Sequence, residues 1–208
     1  MRSSDFKRED NYNEYLRLLQ NDDYIEVTFD QESGGVSAVH KLHKFDKQKG
    51  VYGIRRGDYE RKVINVLRDN GFRVVLESEL SSQNTKVCDG YLDDVPMEIK
   101  SIEGRGIWTI STKLLSAEKQ HARCVILFFP DTTLYSNDRV IDGIGKYTAN
   151  PDSHVVLSID HVLAVSENNI ISEWHKKATP IEGWSVWEGF RGQNGADPFT
   201  IPPSDAKI

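Results

Sequence analysis

Cysteine is scarce in this chain. Among 208 residues only Cys88 and Cys124 occur. They stand far apart, with no CxxC pair and no His–Cys cluster, so both are expected as core thiols rather than as a disulfide or a cysteine zinc site. Long apolar runs are missing too. None approaches the roughly 18 residues of a membrane span, so no membrane partner is expected. The first ten residues, Met1-Arg-Ser-Ser-Asp-Phe-Lys-Arg-Glu-Asp10, have no apolar core, so no secretory signal is read there. A cytoplasmic protein is expected, or a domain delivered to a target-cell cytoplasm. Internal repeats and low-complexity tracts are absent. So is an excess of positive charge: 26 Lys+Arg face 32 Asp+Glu, a net −6. That balance argues against a protein that coats nucleic acid.

What is present is unevenly spread. Residues 41–73 hold ten Lys/Arg against four Asp/Glu, a local +6 that leaves −12 elsewhere. Such a patch is either a solvated helix face or a landing site for a polyanion.

Hydropathy patterning predicts a mixed α/β fold. Residues 1–10 are expected to fray. Residues 11–20 read as a short helix with Tyr12, Tyr15, Leu16 and Leu19 on one face. Strands follow at 24–30 and, after the Gly34-Gly35 turn, at 36–45. That second strand carries His40 and His43, which would face opposite sides; surface positions or a phosphate contact are the readings. Residues 57–70 form the clearest helix, capped by Gly57 or Asp58 and stopped by Gly71. Its apolar stripe is Tyr59, Val63, Val66 and Leu67. Glu60 sits at the edge of that stripe, either as an acid favoured by the helix dipole or as one aimed at the elements that follow. A strand at 72–80 and a polar turn at 81–85 lead to a hairpin. Beyond it come a helix at 109–122 and a strand at 123–130. That strand is apolar enough to be buried on both faces. A third helix at 138–149 looks interrupted by Gly143 and Gly145, and a strand ends near 165. From Glu167 a Trp/Gly/Pro-rich tail should pack Trp174, Trp184 and Trp187 back on the domain, with its end loose from Asn194.

The hairpin, Lys86-Val-Cys-Asp-Gly-Tyr-Leu-Asp-Asp-Val-Pro-Met-Glu-Ile-Lys-Ser101, is where chemistry concentrates. Asp93-Asp94 suits a two-residue turn, because aspartate tolerates left-handed backbone. With that loop Leu92 faces Val95, Tyr91 faces Pro96, Gly90 faces Met97 and Asp89 faces Glu98. Opposed residues bring their Cβ atoms about 5 Å apart on one face. Lys100, two residues beyond Glu98, projects from that face as well. Two carboxylates and a lysine converging there suggest a divalent metal site with a cationic helper.

The ordered set of helix with Glu60, strand, strand with Asp89, strand with Glu98-Ile99-Lys100, helix and buried strand resembles the PD-(D/E)xK nuclease superfamily. The family's usual proline before the aspartate is replaced by Cys88. Residues 57–101, with Gly57-Asp-Tyr-Glu60, Glu98-Ile-Lys-Ser101 and the later Lys119-Gln120, are similar to the tRNA-nuclease domains of contact-dependent inhibition and related polymorphic bacterial toxins. The resemblance implies a restriction-endonuclease-like core at 51–166, with an N-terminal extension at 1–50 and a C-terminal tail at 167–208. It implies Mg²⁺ or Mn²⁺ held by Asp89, Glu98, the Ile99 carbonyl and Glu60, with Lys100 and Gln120 as further catalytic residues. Arg55, Arg56, Lys62, Lys113 and Lys119 would contact the nucleic acid. The expected substrate is RNA, tRNA by likeness, and an immunity protein would be the partner of such a toxin. A DNA endonuclease of the same fold and a non-catalytic module that keeps the fold are the alternatives.

Overall fold

A computed structural model describes residues 3–78, 87–149, 158–177, 185–190 and 199–201. In chain order the elements are α1 (Ser3–Leu19), β1 (Tyr24–Phe29), β2 (Val36–His40), α2 (Arg56–Asp69), β3 (Arg73–Leu76), β4 (Gly90–Leu92), β5 (Val95–Ser101), α3 (Thr109–Glu118), β6 (Cys124–Phe128), α4 (Asn137–Thr148), β7 (His161–Val165), β8 (Ile170–Lys177), β9 (Ser185–Phe190) and β10 (Phe199–Ile201). The strands make one mixed sheet whose spatial order is the chain order. Parallel pairs occur where a helix makes the return: β2 with β3, β5 with β6, and β6 with β7. The remaining neighbours are antiparallel.

Strand β6 is buried along its whole length, as its apolar run requires of a strand covered on both faces. Its alternate residues feed two cores. Val125 and Leu127 join the α3/α4 side with Ile110, Leu114, Ile144 and Tyr147. Ile126 and Phe128 join the α2 side with Tyr59, Val63 and Leu67. Helix α1 covers β1 and β2 through Leu18, packed with Val36 and Ala38.

Several expectations need correcting. The first helix begins at Ser3, not near Asn11, so described residues thought frayed are helical. Helix α2 has Arg55 at its N-cap and no side-chain cap, so neither Gly57 nor Asp58 serves. Gly71 does stop it, at φ +83°. Helix α4 runs unbroken through both glycines, and Gly143 admits Ile110 of α3, whose Cγ2 would lie 2.5 Å from an added Cβ. The tail beyond Glu167 continues the sheet as β8, β9 and β10; Trp174 and Trp187 do pack back on the domain, buried in the α3/α4 core. Trp184 and the turn at 81–85 lie outside the described residues, as does the start of the strand expected before 165. Neither chain position proposed as a domain boundary, 50/51 or 166/167, interrupts the sheet. Cys88 and Cys124 are free thiols, the second fully buried.

Candidate active site

The hairpin forms in the expected register: Leu92 faces Val95, Tyr91 faces Pro96 and Gly90 faces Met97. Asp93 and Asp94 both take positive φ, +46° and +68°, as a two-residue primed turn demands. Gly90 is required for a separate reason. A Cβ there would collide with the Val75 carbonyl oxygen of β3.

At Gly90 the β4 ladder stops, while β5 continues to Ser101. Side chains replace backbone partners beyond that point. The Ile99 N–H donates to Asp89 Oδ2 at 2.8 Å, and the Asp89 N–H donates to Glu98 Oε2 at 3.0 Å. The end of β4 also opens the sheet, so groups from its two faces meet. Glu98 and Lys100 alternate with Met97 and Ile99 on β5 and so point to the face opposite α2. Glu60 comes from α2 itself. All of them line one cleft of about 500 Å³, together with Arg56, Tyr59, Asp89, Lys113 and Gln120.

Glu98 is buried, 3 % exposed. Its Oε1 accepts from the Lys100 ammonium and from Gln120 Nε2, the latter at 2.8 Å. Burial raises its pKa, more than the Lys100 charge beside it can offset. Asp89 is pushed up to about 8, first by burial and then by the negative charge of Glu98, although the Ile99 N–H favours its ionised form. Two acids that resist ionisation side by side make a pair whose charged forms a nearby positive charge would favour.

His43, expected as a surface position or a phosphate contact, has a different place. His43 lies beyond the end of β2, and its ring is buried rather than at the surface. Its Nδ1 lies 2.8 Å from the Glu77 carbonyl oxygen, and its Nε2 lies 3.2 Å from Glu60 Oε2. Burial works against the charged ring, but the Glu60 carboxylate and the Glu77 carbonyl outweigh it and raise the pKa. The signal in His40-Lys-Leu-His43 was the second histidine alone. His40 caps its own turn, accepting the Leu42 N–H at 3.1 Å.

The basic residues divide sharply. Arg56 and Lys113 line the cleft, and so does Lys44, which was not singled out. Lys113 has its pKa lowered by burial and by the nearby Arg56 and Lys100 charges. Arg55, Lys62 and Lys119 do not line it. Lys62 pairs with Glu167, and Arg55 and Lys119 are exposed at the ends of α2 and α3. Gln120 comes from the turn after α3 rather than from the helix, and it bonds Glu98. Much of the basic segment is spent in surface ion pairs: Lys41 with Asp23, Arg61 with Glu26, Arg68 with Asp69 and Arg73 with Asp94. The +6 counted along the chain is therefore not a +6 surface.

Among the described residues, three buried polar atoms at this end of the sheet have no hydrogen-bond partner: Arg56 Nε, the Tyr59 hydroxyl and Glu103 Oε1. Arg56 reaches Glu103 Oε2 only at 3.6 Å and Asp46 Oδ2 at 3.9 Å. Unsatisfied buried donors are costly, and such groups are found where a ligand supplies the missing acceptor.

Comparison with known proteins gives no match to any family model, curated protein or solved structure.

Proposed function

We propose that the chain is a metal-dependent phosphodiester hydrolase of the PD-(D/E)xK type, with a restriction-endonuclease-like core running from α2 to β6. The observation that carries this reading is the convergence of Glu60, Asp89, Glu98, Lys100 and Gln120, drawn from three separate chain segments, in one cleft. The donor set suits Mg²⁺ or Mn²⁺, because Asp89, Glu98 and Glu60 offer only oxygen. Two adjacent acids with raised pKa support the same fit.

Asp89 and Glu98 would hold the ion, with Glu60 as a third oxygen donor. Such an ion, when bound, supplies polarisation of the phosphodiester and acidification of its water. The protein's own groups do the rest. The Ile99 and Asp89 backbone N–H groups fix how the two carboxylates sit. His43 anchors Glu60 from behind. Lys100 would neutralise charge developing on the phosphorane. Arg56, with a free Nε–H, and Lys113 can take the non-bridging phosphate oxygens.

RNA is the favoured substrate. The β5–α3 loop exposes Ile107 and Trp108, and the loop before α2 exposes Val51 and Tyr52. Both loops border cleft-lining residues, Ser101 and Lys113 on one side and Gln48 and Arg56 on the other. Lys146 Nζ sits 5.1 Å from the Trp108 ring centre. Exposed aromatics beside cations serve unpaired bases, which RNA loops present and duplex DNA does not. The test is incubation of purified protein with total tRNA and with plasmid DNA, each with Mg²⁺, Mn²⁺ or EDTA. Metal-dependent tRNA cleavage is expected. Cleavage of plasmid alone would move the assignment to a DNA endonuclease, and no cleavage of either would leave the fold without the chemistry.

A further inference from the structure

A second cluster lies two strands away from Glu98, on the other face of the sheet. The parallel ladder places Met97 of β5 beside Cys124 of β6 and Cys124 beside His161 of β7. Across β7 and β8, His161 directly faces His175, and Glu173 stands two residues before His175 on the same face. Leu163, the cross-strand partner of Glu173, belongs to the α2-side core, which fixes the face as opposite to that of Glu98 and Lys100.

The three side chains point at one another. His161 Nε2 and His175 Nε2 each lie 2.9 Å from the same oxygen, Glu173 Oε1. The imidazoles are stacked, with ring centres 4.0 Å apart and 20° between planes. Their ligand atoms all lie within 4.8 Å of one another. Around tetrahedral zinc, bonds of about 2.0–2.1 Å separate neighbouring donors by about 3.3 Å, within the range this trio spans. For both rings to donate to Oε1, each Nε2 must carry a proton. A single divalent ion replaces both protons and uses the same three atoms. Glu173 is buried and the rings are partly exposed, at the edge of a cavity of about 410 Å³ also bordered by Asp93 and Lys7. Asp93 is already engaged by the Lys7 ammonium and by the Arg73 N–H, so water is left to complete the coordination.

We propose that His161, Glu173 and His175 bind one transition-metal ion, zinc in the first place. Two imidazole nitrogens and one carboxylate suit Zn²⁺ and its neighbours and disfavour Mg²⁺, whereas the cleft around Asp89 and Glu98 offers only oxygen. The ion would tie β8 to β7 and so fasten the C-terminal strands to the sheet. This site is independent of the hydrolytic reading.

The experiment is calorimetric titration of untagged, EDTA-stripped protein with ZnCl₂ in the presence of millimolar Mg²⁺. One equivalent of zinc is expected to bind, with micromolar or tighter affinity. The same equivalent should bind to the Asp89→Asn/Glu98→Ala variant and be weakened at least tenfold by His175→Gln. His175 is the more exposed of the two histidines. A His175→Gln protein with an unchanged circular dichroism spectrum therefore reports on the site itself if His161→Gln fails to fold. Three outcomes overturn the proposal: no zinc binding below about 1 mM, binding unchanged in His175→Gln, or binding abolished in Asp89→Asn/Glu98→Ala.

Discussion

Asp89 and Glu98 share a space that holds two negative charges badly. Burial, and then the Glu98 charge, push the Asp89 carboxyl up from its ordinary 3.8 to about 8. The folded protein therefore binds this proton more tightly than the unfolded chain does. Its stabilising contribution is complete below about pH 4 and is lost as pH rises toward 8. In EDTA, the thermal midpoint should fall between pH 5 and pH 8, and Asp89→Asn should flatten that fall. A midpoint equally flat in wild type and variant would remove the electrostatic argument for a cation. His43 acts one step further out, through Glu60. His43→Ala should lower the rate of metal-dependent cleavage about tenfold or more, the usual effect of removing the group that orients a ligand. It should leave bulk secondary structure intact by circular dichroism. A rate within twofold of wild type would make His43 a packing residue only. The opposed acids and the lysine were legible in the sequence, because alternation along a strand and a two-residue turn fix which side chains share a face. His43 was not, because its place depends on a turn after β2 that no periodicity announces. Nor was the fate of Arg61, Lys62 and Arg73, whose acidic partners come from remote parts of the chain.

At the scale of the element, the site depends on a short strand. Because β4 begins only at Gly90, Glu98 and Lys100 of β5 have no β4 partner beside them, and Glu60 of α2 lines the same cleft. Gly90 holds β4 close to β3 at that point. Gly90→Ala should cost about 1–3 kcal/mol in urea unfolding, the range for an overpacked contact, since the Val75 carbonyl must shift. A loss below 0.5 kcal/mol, as an order-of-magnitude threshold for surface changes, would show that the contact relaxes freely. Helices α2 and α3 and strands β5 and β6 were readable from their periods and stop signals. Helix α4 was misjudged, because glycine read as a breaker serves here as a contact surface for Ile110. The extra turns of α1 were missed because its N-terminal half is polar and carries no apolar stripe to signal a helix.

The molecule as a whole is one sheet that runs from β1 to β10. Its last strands looked like a tail because tryptophan, glycine and proline do not alternate as a half-buried strand does. They are integral nonetheless: Trp174 and Trp187 are fully buried beside Val162 and Ala164. A chain truncated after Ser166 should lose cooperative thermal unfolding, and a truncated protein with a sharp transition would contradict this. The two clusters are set apart along the sheet, the acidic cleft where β5 runs on beyond its β4 partner and the histidine cluster on the α2-side face of β7 and β8. Among the described residues no helix is long and apolar enough to cross a membrane. One assay decides whether the cleft hydrolyses phosphodiesters through Asp89, Glu98 and Lys100. Wild type, Glu98→Ala and Lys100→Ala are compared on labelled tRNA in Mg²⁺, with thermal unfolding measured on the same preparations. Cleavage is expected from wild type, with a loss of about a thousandfold or more in both variants, the scale of removing transition-state charge stabilisation, and with folding intact. Cleavage at the wild-type rate by both variants would contradict that assignment.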